Sequence, residues 1–160
     1  MANEVGRGRS DRAERLIAAP APAIWRALTD PGALAGWRPP QGMTGAFTAF
    51  KGRAGGRYRM VLTYEGEMPE GGGKSSARTD VVEGRFEELR PGERIVEVVR
   101  FDAPDPAFAG EMTITTTLSP DAGGTRVTIL CENVPPGISA SDHAVGLAST
   151  LRNLAAFVES

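Results

Sequence analysis

The stretch Arg57-Tyr58-Arg59-Met60-Val61-Leu62-Thr63-Tyr64-Glu65 decides the fold. Successive side chains alternate across a pleat, so Tyr58, Met60, Leu62 and Tyr64 share one face, and Arg57, Arg59, Val61, Thr63 and Glu65 share the other. A half-buried strand is the only regular structure that pattern fits. The same period of two runs outward from Met43 for roughly ninety residues. It predicts strands over 43–50, 57–65, 78–89, 94–102, 111–118 and 125–134, joined by turns rich in glycine, proline and aspartate. Within the third of these, Gly84 marks an inexpensive place for a bulge or bend. Parity puts Met112, Ile114, Thr116 and Leu118 on one face. It also groups Ile95, Glu97, Val99 and Phe101, and groups Glu132 with Arg126, Thr128, Leu130 and Val134; alternation leaves open which of these faces is concave.

On either side of the meander the period becomes helical. Arg15 to Ala19 reads as a short first strand. Pro20 and Pro22 then preset helical φ, and Ile24, Trp25 and Leu28 supply an apolar stripe that ends at Asp30-Pro31. A second short helix carries Ala33, Leu34 and Trp37 before the breakers Pro39, Pro40 and Gly42. At the other end Ser139 is an N-cap, and Ala144, Leu147, Leu151, Leu154 and Val158 recur every three or four residues, predicting an amphipathic helix of about twenty residues. That helix needs a surface to cover, and the sheet has one. The expected fold is α+β: a curved antiparallel sheet of six to seven strands wrapped around one long C-terminal helix, with two short helices after the first strand. Residues 1–11, polar and without apolar periodicity, read as a flexible arm, and 12–160 as a single domain.

Composition narrows function. With 18 basic against 20 acidic residues among 160, no basic excess exists to neutralise nucleic acid or dock on anionic lipid. No apolar run is long enough to span a bilayer, and the first residues lack the apolar core of a signal peptide, so the expected location is cytoplasmic. One histidine and one cysteine cannot assemble a zinc or iron site from nitrogen and sulfur ligands, and no metal or other cofactor is expected.

Two motifs invite a catalytic reading and fail it. Glu67 to Ser75 resembles a phosphate-binding loop, but Met68 stands where a glycine is required and a strand follows instead of a helix. Ser141-Asp142-His143 holds the residue types of a hydrolase triad, yet helical neighbours diverge by about 100° and cannot relay a proton among themselves. His143 therefore stands alone as a candidate base or as a capping residue. Glu132 is the second candidate catalytic group, and Glu97 shares its chemistry: a carboxylate in an apolar strand gains a raised pKa if it faces a closed interior. Cys131 lies on the face opposite Glu132 and reads as a small core residue. Trp25 suits a core; Trp37, beside a loop, suits a core corner or the lip of a pocket.

The run Leu16-Ile17-Ala18-Ala19-Pro20-Ala21-Pro22-Ala23-Ile24-Trp25-Arg26-Ala27-Leu28-Thr29-Asp30-Pro31, with Leu34 and Trp37, resembles the opening motif of the SRPBCC, or START-like, superfamily. Gly55-Gly56-Arg57-Tyr58-Arg59-Met60, Gly84 to Pro91, Met112 to Leu118 and Gly124 to Thr128 are similar to its branch related to the C-terminal domain of the activator of heat-shock-protein ATPase. The resemblance covers about 12–159. It implies the helix-grip fold and a deep apolar cavity between sheet and long helix, which in relatives holds lipids, sterols, polyketides or hormones.

On that basis the expected ligand is a small hydrophobic molecule. Its expected wall is Tyr58, Met60, Tyr64, Phe101, Met112 and Ile114 from the sheet and Leu147 and Leu151 from the helix, with Trp37 near the mouth. Two other readings stand beside binding. One is a cyclase, dehydratase or hydrolase acting on a hydrophobic carbonyl compound, with Glu132 or His143 as base. The other is a stress-related co-chaperone that binds a heat-shock ATPase, which would need an exposed apolar patch outside the cavity. Exposed strand edges leave monomer and homodimer both open.

Overall fold

The run that begins at Met43 folds into six consecutive strands, each paired antiparallel with the next: β2 (Met43–Phe50), β3 (Arg57–Tyr64), β4 (Thr79–Arg90), β5 (Arg94–Phe101), β6 (Met112–Asp121) and β7 (Gly124–Val134). A seventh, β1 (Arg9–Ile17), pairs with β7, so the sheet order is β1-β7-β6-β5-β4-β3-β2. Between β1 and β2 lie α1 (Ala21–Thr29) and α2 (Pro31–Trp37); a 3₁₀ turn (Pro106–Phe108) precedes β6, and α3 (Ala140–Glu159) ends the chain. The computed structural model describes residues 8–39, 42–66, 73, 74, 76 and 78–159. The fold is the α+β helix-grip arrangement.

Helix starts follow local chemistry. Asp30 caps α2 by accepting from Ala33 N at 2.9 Å, and Ser139 Oγ accepts from Asp142 N at 3.1 Å ahead of α3. Each bond satisfies one of the donors that a first helical turn leaves unpaired. Helix α3 turns Leu147, Leu151, Leu154 and Ala155 inward against Ile17, Ile24, Leu34 and Val127, all of them buried. Among the described residues no helix is long and apolar enough to cross a membrane.

Three readings from the sequence need correction. The first strand begins at Arg9, inside the segment expected to be an arm. It escaped notice because its inward positions near the start carry Arg9 and Asp11, whose partners are polar, so no apolar alternation marks them. Residues 1–7 of that segment lie outside the described residues. Parity also fails at the end of β7. Asn133 adopts φ 60°, opposite a register shift between Arg9 and Asp11, and this turns Val134 inward to 3 % exposure although alternation grouped it with Glu132. In β4 the irregularity falls between Phe86 and Glu88, not at Gly84. The glycine-rich loop over 67–75 lies mostly outside the described residues; within it, Lys74 donates to Asp80 from both its backbone N and Nζ, at 2.6 and 3.1 Å.

Because Leu151 is 2 % exposed at the centre of α3, Leu151→Ala leaves a void beneath the helix. The expected loss is about 2–5 kcal/mol of unfolding free energy in urea titrations, with the slope unchanged.

Candidate functional site

Among the described strand residues on the concave face, two are charged and buried: Asp80 of β4, near the rim opposite Leu62, and Glu97 of β5, flanked by Ile95 and Val99 deeper in. A carboxylate in such a place requires donors. Tyr58 Oη donates to Glu97 Oε1 at 2.6 Å from β3, and Arg38 Nη2 reaches the same oxygen at 3.5 Å. Burial and the adjacent Glu97 charge hold the Tyr58 hydroxyl well above the usual tyrosine range, so it stays a donor. Burial alone would lower the Arg38 pKa, but the charge of Glu97 and the Tyr58 hydroxyl outweigh it and the shift is upward. The guanidinium is permanently charged. At 3.5 Å its bond to Glu97 is at the long limit, which leaves most of its five N–H donors for another partner.

Local structure delivers each member. Arg38 directly follows α2, its N–H bonded to Leu34 O at 2.9 Å. The preceding Trp37 is fixed by its indole N–H on Ala27 O at 2.9 Å, and the following Pro39 O accepts from Asn153 of α3 at 3.3 Å. Tyr58 lies directly opposite Gly84 in the β3–β4 ladder, and a Cβ at Gly84 would stand 2.6 Å from the Tyr58 hydroxyl oxygen. The missing side chain of Gly84 is what lets the phenol lie flat across β4 and reach β5. Phe47, Phe50 and Phe86 enclose the ring at centroid distances of 5.9, 6.2 and 5.3 Å.

This polar cluster sits at the waist between two adjoining, partly open pockets, which share lining residues and form two lobes. One, of about 150 Å³, is bounded by Trp37, Ile95, Ile129 and Leu147 and carries Glu97, Cys131 and His143. The other, of about 180 Å³, is bounded by Tyr58, Met60, Leu62, Val82 and Phe101. Arg38, Met112, Ile114 and Thr150 line both.

At the far wall of the first lobe, His143 Nδ1 lies 2.6 Å from Asp11 Oδ2. Arg9 holds that carboxylate through Nε at 3.0 Å and Nη2 at 3.0 Å, and donates from Nη2 to Ile138 O at 2.6 Å. The Arg9 bond lowers the Asp11 pKa most; burial opposes it, and the His143 contact lowers it further. Burial, with Asp11 and Glu97 nearby, pushes the Cys131 thiol up to about 12, so it remains protonated and unreactive.

The structure brings together at this cavity Trp37, Tyr58, Met60, Phe101, Met112, Ile114, Leu147 and His143. It places the other candidates elsewhere. Glu132 is exposed on the convex face, because β7 turns Ile129 and Cys131 inward and its neighbours outward, so it has no access to the cavity. Leu151 is packed in the core between α3 and the sheet. Tyr64, near the rim of β3, donates instead to Asp80 Oδ2 at 3.1 Å; burial and then the Asp80 charge push its pKa up to about 12. Sequence reasoning missed Arg38, which reads as a charge among helix breakers, and Asp11, hidden in the presumed arm. Glu97 carried the right signal, a carboxylate alternating with valine and isoleucine, but its face was undetermined.

A family model described as activator of Hsp90 ATPase homolog 1-like protein matches residues 18–159. The chain belongs to that family. This AHSA1-like chain is 34% identical to protein CV1439 from Chromobacterium violaceum, whose crystal structure superposes with a TM-score of 0.83 over 94% of this chain and 97% of the other. A protein from Rhodobacter sphaeroides is 26% identical with a TM-score of 0.74, covering 95% of each. The AHSA1-like protein from Aeromonas hydrophila, 18% identical, shares the fold with a TM-score of 0.70 over 94% and 92% of the two chains. No curated protein matches the chain. The SRPBCC resemblance read from the opening motif agrees with this membership.

Two expectations follow. Gly84→Ala forces Tyr58 off Glu97 and destabilises the AHSA1-like fold by about 1–3 kcal/mol in denaturant titrations, and Gly84→Ala with Tyr58→Phe costs less than the sum of the single changes. The second concerns acid. The Asp11 pKa is lower folded than unfolded, so its stabilisation is complete above the unfolded value near 3.8 and is lost as pH falls through the folded value. Asp11→Asn should therefore lie below wild type in stability at neutral pH and converge toward it in titrations carried below about pH 3.

Proposed function

We propose that this AHSA1-like protein binds a small, largely apolar molecule bearing one oxygen function, with that oxygen at the Arg38–Glu97–Tyr58 waist and the apolar parts in the two lobes. The observation that carries the reading is the cluster itself: a buried carboxylate beside a half-buried guanidinium at the junction of two largely apolar spaces. Convergent polar groups within an apolar hollow are the usual makeup of a ligand site, and the two lobes together fall at the lower end of the roughly 300–1,000 Å³ such sites occupy. An apolar space of about 150 Å³ holds a benzene-sized ring. The shape therefore favours two-ring or ring-and-chain compounds over a sterol.

Native mass spectrometry of the purified protein tests for a retained compound. Titration with benzophenone and 1-indanone, followed by calorimetry and by tryptophan fluorescence in a Trp25→Phe background that leaves Trp37 as the single indole, then measures affinity. Met112 lines both lobes and pairs in the ladder with Val99 rather than Glu97, so Met112→Trp fills them from a position that is not Glu97's cross-strand partner. The expected result is at least a tenfold weaker binding in that variant; equal affinity in both proteins would move the site out of the cavity.

The family description supports a second reading, activation of a heat-shock ATPase. The observation in its favour is a surface groove of about 560 Å³ whose apolar part is formed by Ala23, Ala27 and Ala33 with Phe157 and Val158, and whose polar part is Arg26, Thr29 and Asp30.

A further inference from the structure

We infer that His143 is a general base in the smaller lobe, removing a proton from the carbon next to the carbonyl of a bound ketone whose oxygen rests on Arg38. The inference rests on the cavity-binding reading and deepens it by naming a reaction. The imidazole is set up for the task by groups on two elements. Its own backbone N–H bonds Ser139 O at 2.9 Å in the first turn of α3, and Asp11 of β1 meets Nδ1 at 2.6 Å. An ionised carboxylate only accepts, so Nδ1 carries the hydrogen, and Nε2 is the nitrogen that can take up a proton. Arg9 grips Asp11 through two nitrogens and is itself tied to Ile138 O, so the carboxylate cannot swing away.

The charged and titratable groups around this imidazole are Asp11 and Arg9 from β1, Cys131 from β7, Glu97 from β5 and Arg38 at the end of α2. Their chemistry selects the reaction. Covalent catalysis needs an activated nucleophile, but the Cys131 thiol is held protonated, and the Thr150 hydroxyl donates to Gly146 O at 3.0 Å. Glu97 is already engaged by Tyr58 and Arg38, which leaves His143 as the base. A base and a fixed cation lining one apolar-walled lobe suit a carbon acid. The C–H bond breaks and its proton goes to His143 Nε2, giving an imidazolium that Asp11 stabilises. The C–H electron pair forms the carbon–carbon double bond of an enolate, whose oxygen takes the negative charge against an Arg38 N–H. Return of a proton from the imidazolium to carbon restores the ketone, and no oxidant or co-reactant enters.

Exchange of the ring CH₂ hydrogens beside the carbonyl of 1-indanone for deuterium tests this, with the full chain in D₂O, followed by proton NMR and with binding measured in parallel by calorimetry. Exchange above buffer is expected for wild type, and a loss of at least about a hundredfold for His143→Gln that still binds the ketone. Asp11 is a positioning residue. Asp11→Asn should lower the exchange rate while leaving ketone affinity unchanged in calorimetry, and Asp11→Glu should recover part of the rate. Binding without exchange in wild type, or equal exchange in His143→Gln, overturns the inference and leaves the binding reading standing. Failure of 1-indanone and benzophenone to bind at all overturns both.

Discussion

A carboxylate buried under a sheet is the condition to which the rest of this structure answers. Glu97 sits among isoleucine and valine where an unpaired charge would be worth several kcal/mol of destabilisation. Its compensation comes from two separate parts of the chain. Tyr58 crosses from β3 only because Gly84 has no side chain, and Arg38 comes from the breaker-rich end of α2, held there by the Trp37 indole and by Asn153. Sheet, short helices and long helix are thus tied to a single oxygen atom. A well-packed apolar residue at position 97 would satisfy stability alone with fewer partners.

The two ends of the smaller lobe differ in kind. At the waist, charges of opposite sign neutralise one another and present hydrogen-bond donors. At the far wall, Arg9, Asp11 and His143 form a chain in which each group fixes the next. Both arrangements are rigid, because every member is bonded to backbone or to another member. Such preorganisation matters most where solvent is excluded, since fixed dipoles need not reorient when charge develops.

Most of the architecture was legible because alternation survives wherever one sheet face is buried. Tyr58, Met60 and Leu62 turn inward as the pattern of β3 requires, and Met112, Ile114, Thr116 and Leu118 do so in β6. Where the inward residues are polar and partnered, as at Arg9 and Asp11, the pattern vanishes and the strand with it. Where a residue takes a left-handed conformation, as Asn133 does, parity inverts downstream. The site was half legible for the same reason. Apolar lining residues declare themselves by period, whereas the worth of Arg38, Asp11 and Glu97 depends on which distant groups they meet. Local spacing holds no record of that.

One consequence of the topology concerns the order of events during synthesis. Among the described residues, β7 is the one strand that pairs with β1, with Arg9 opposite Val134 and Ile17 opposite Thr125. Of the seven strands of this sheet, the one synthesised earliest is therefore among the last to find its place, and long-range pairings of this kind slow the final closure of a fold. Until then β1 is an unpaired edge, open to the wrong neighbour. Its run Arg9-Ser10-Asp11-Arg12-Ala13-Glu14-Arg15 is densely charged, a composition suited to waiting in water. The same residues that hid this strand from pattern reading are the ones that keep it from aggregating.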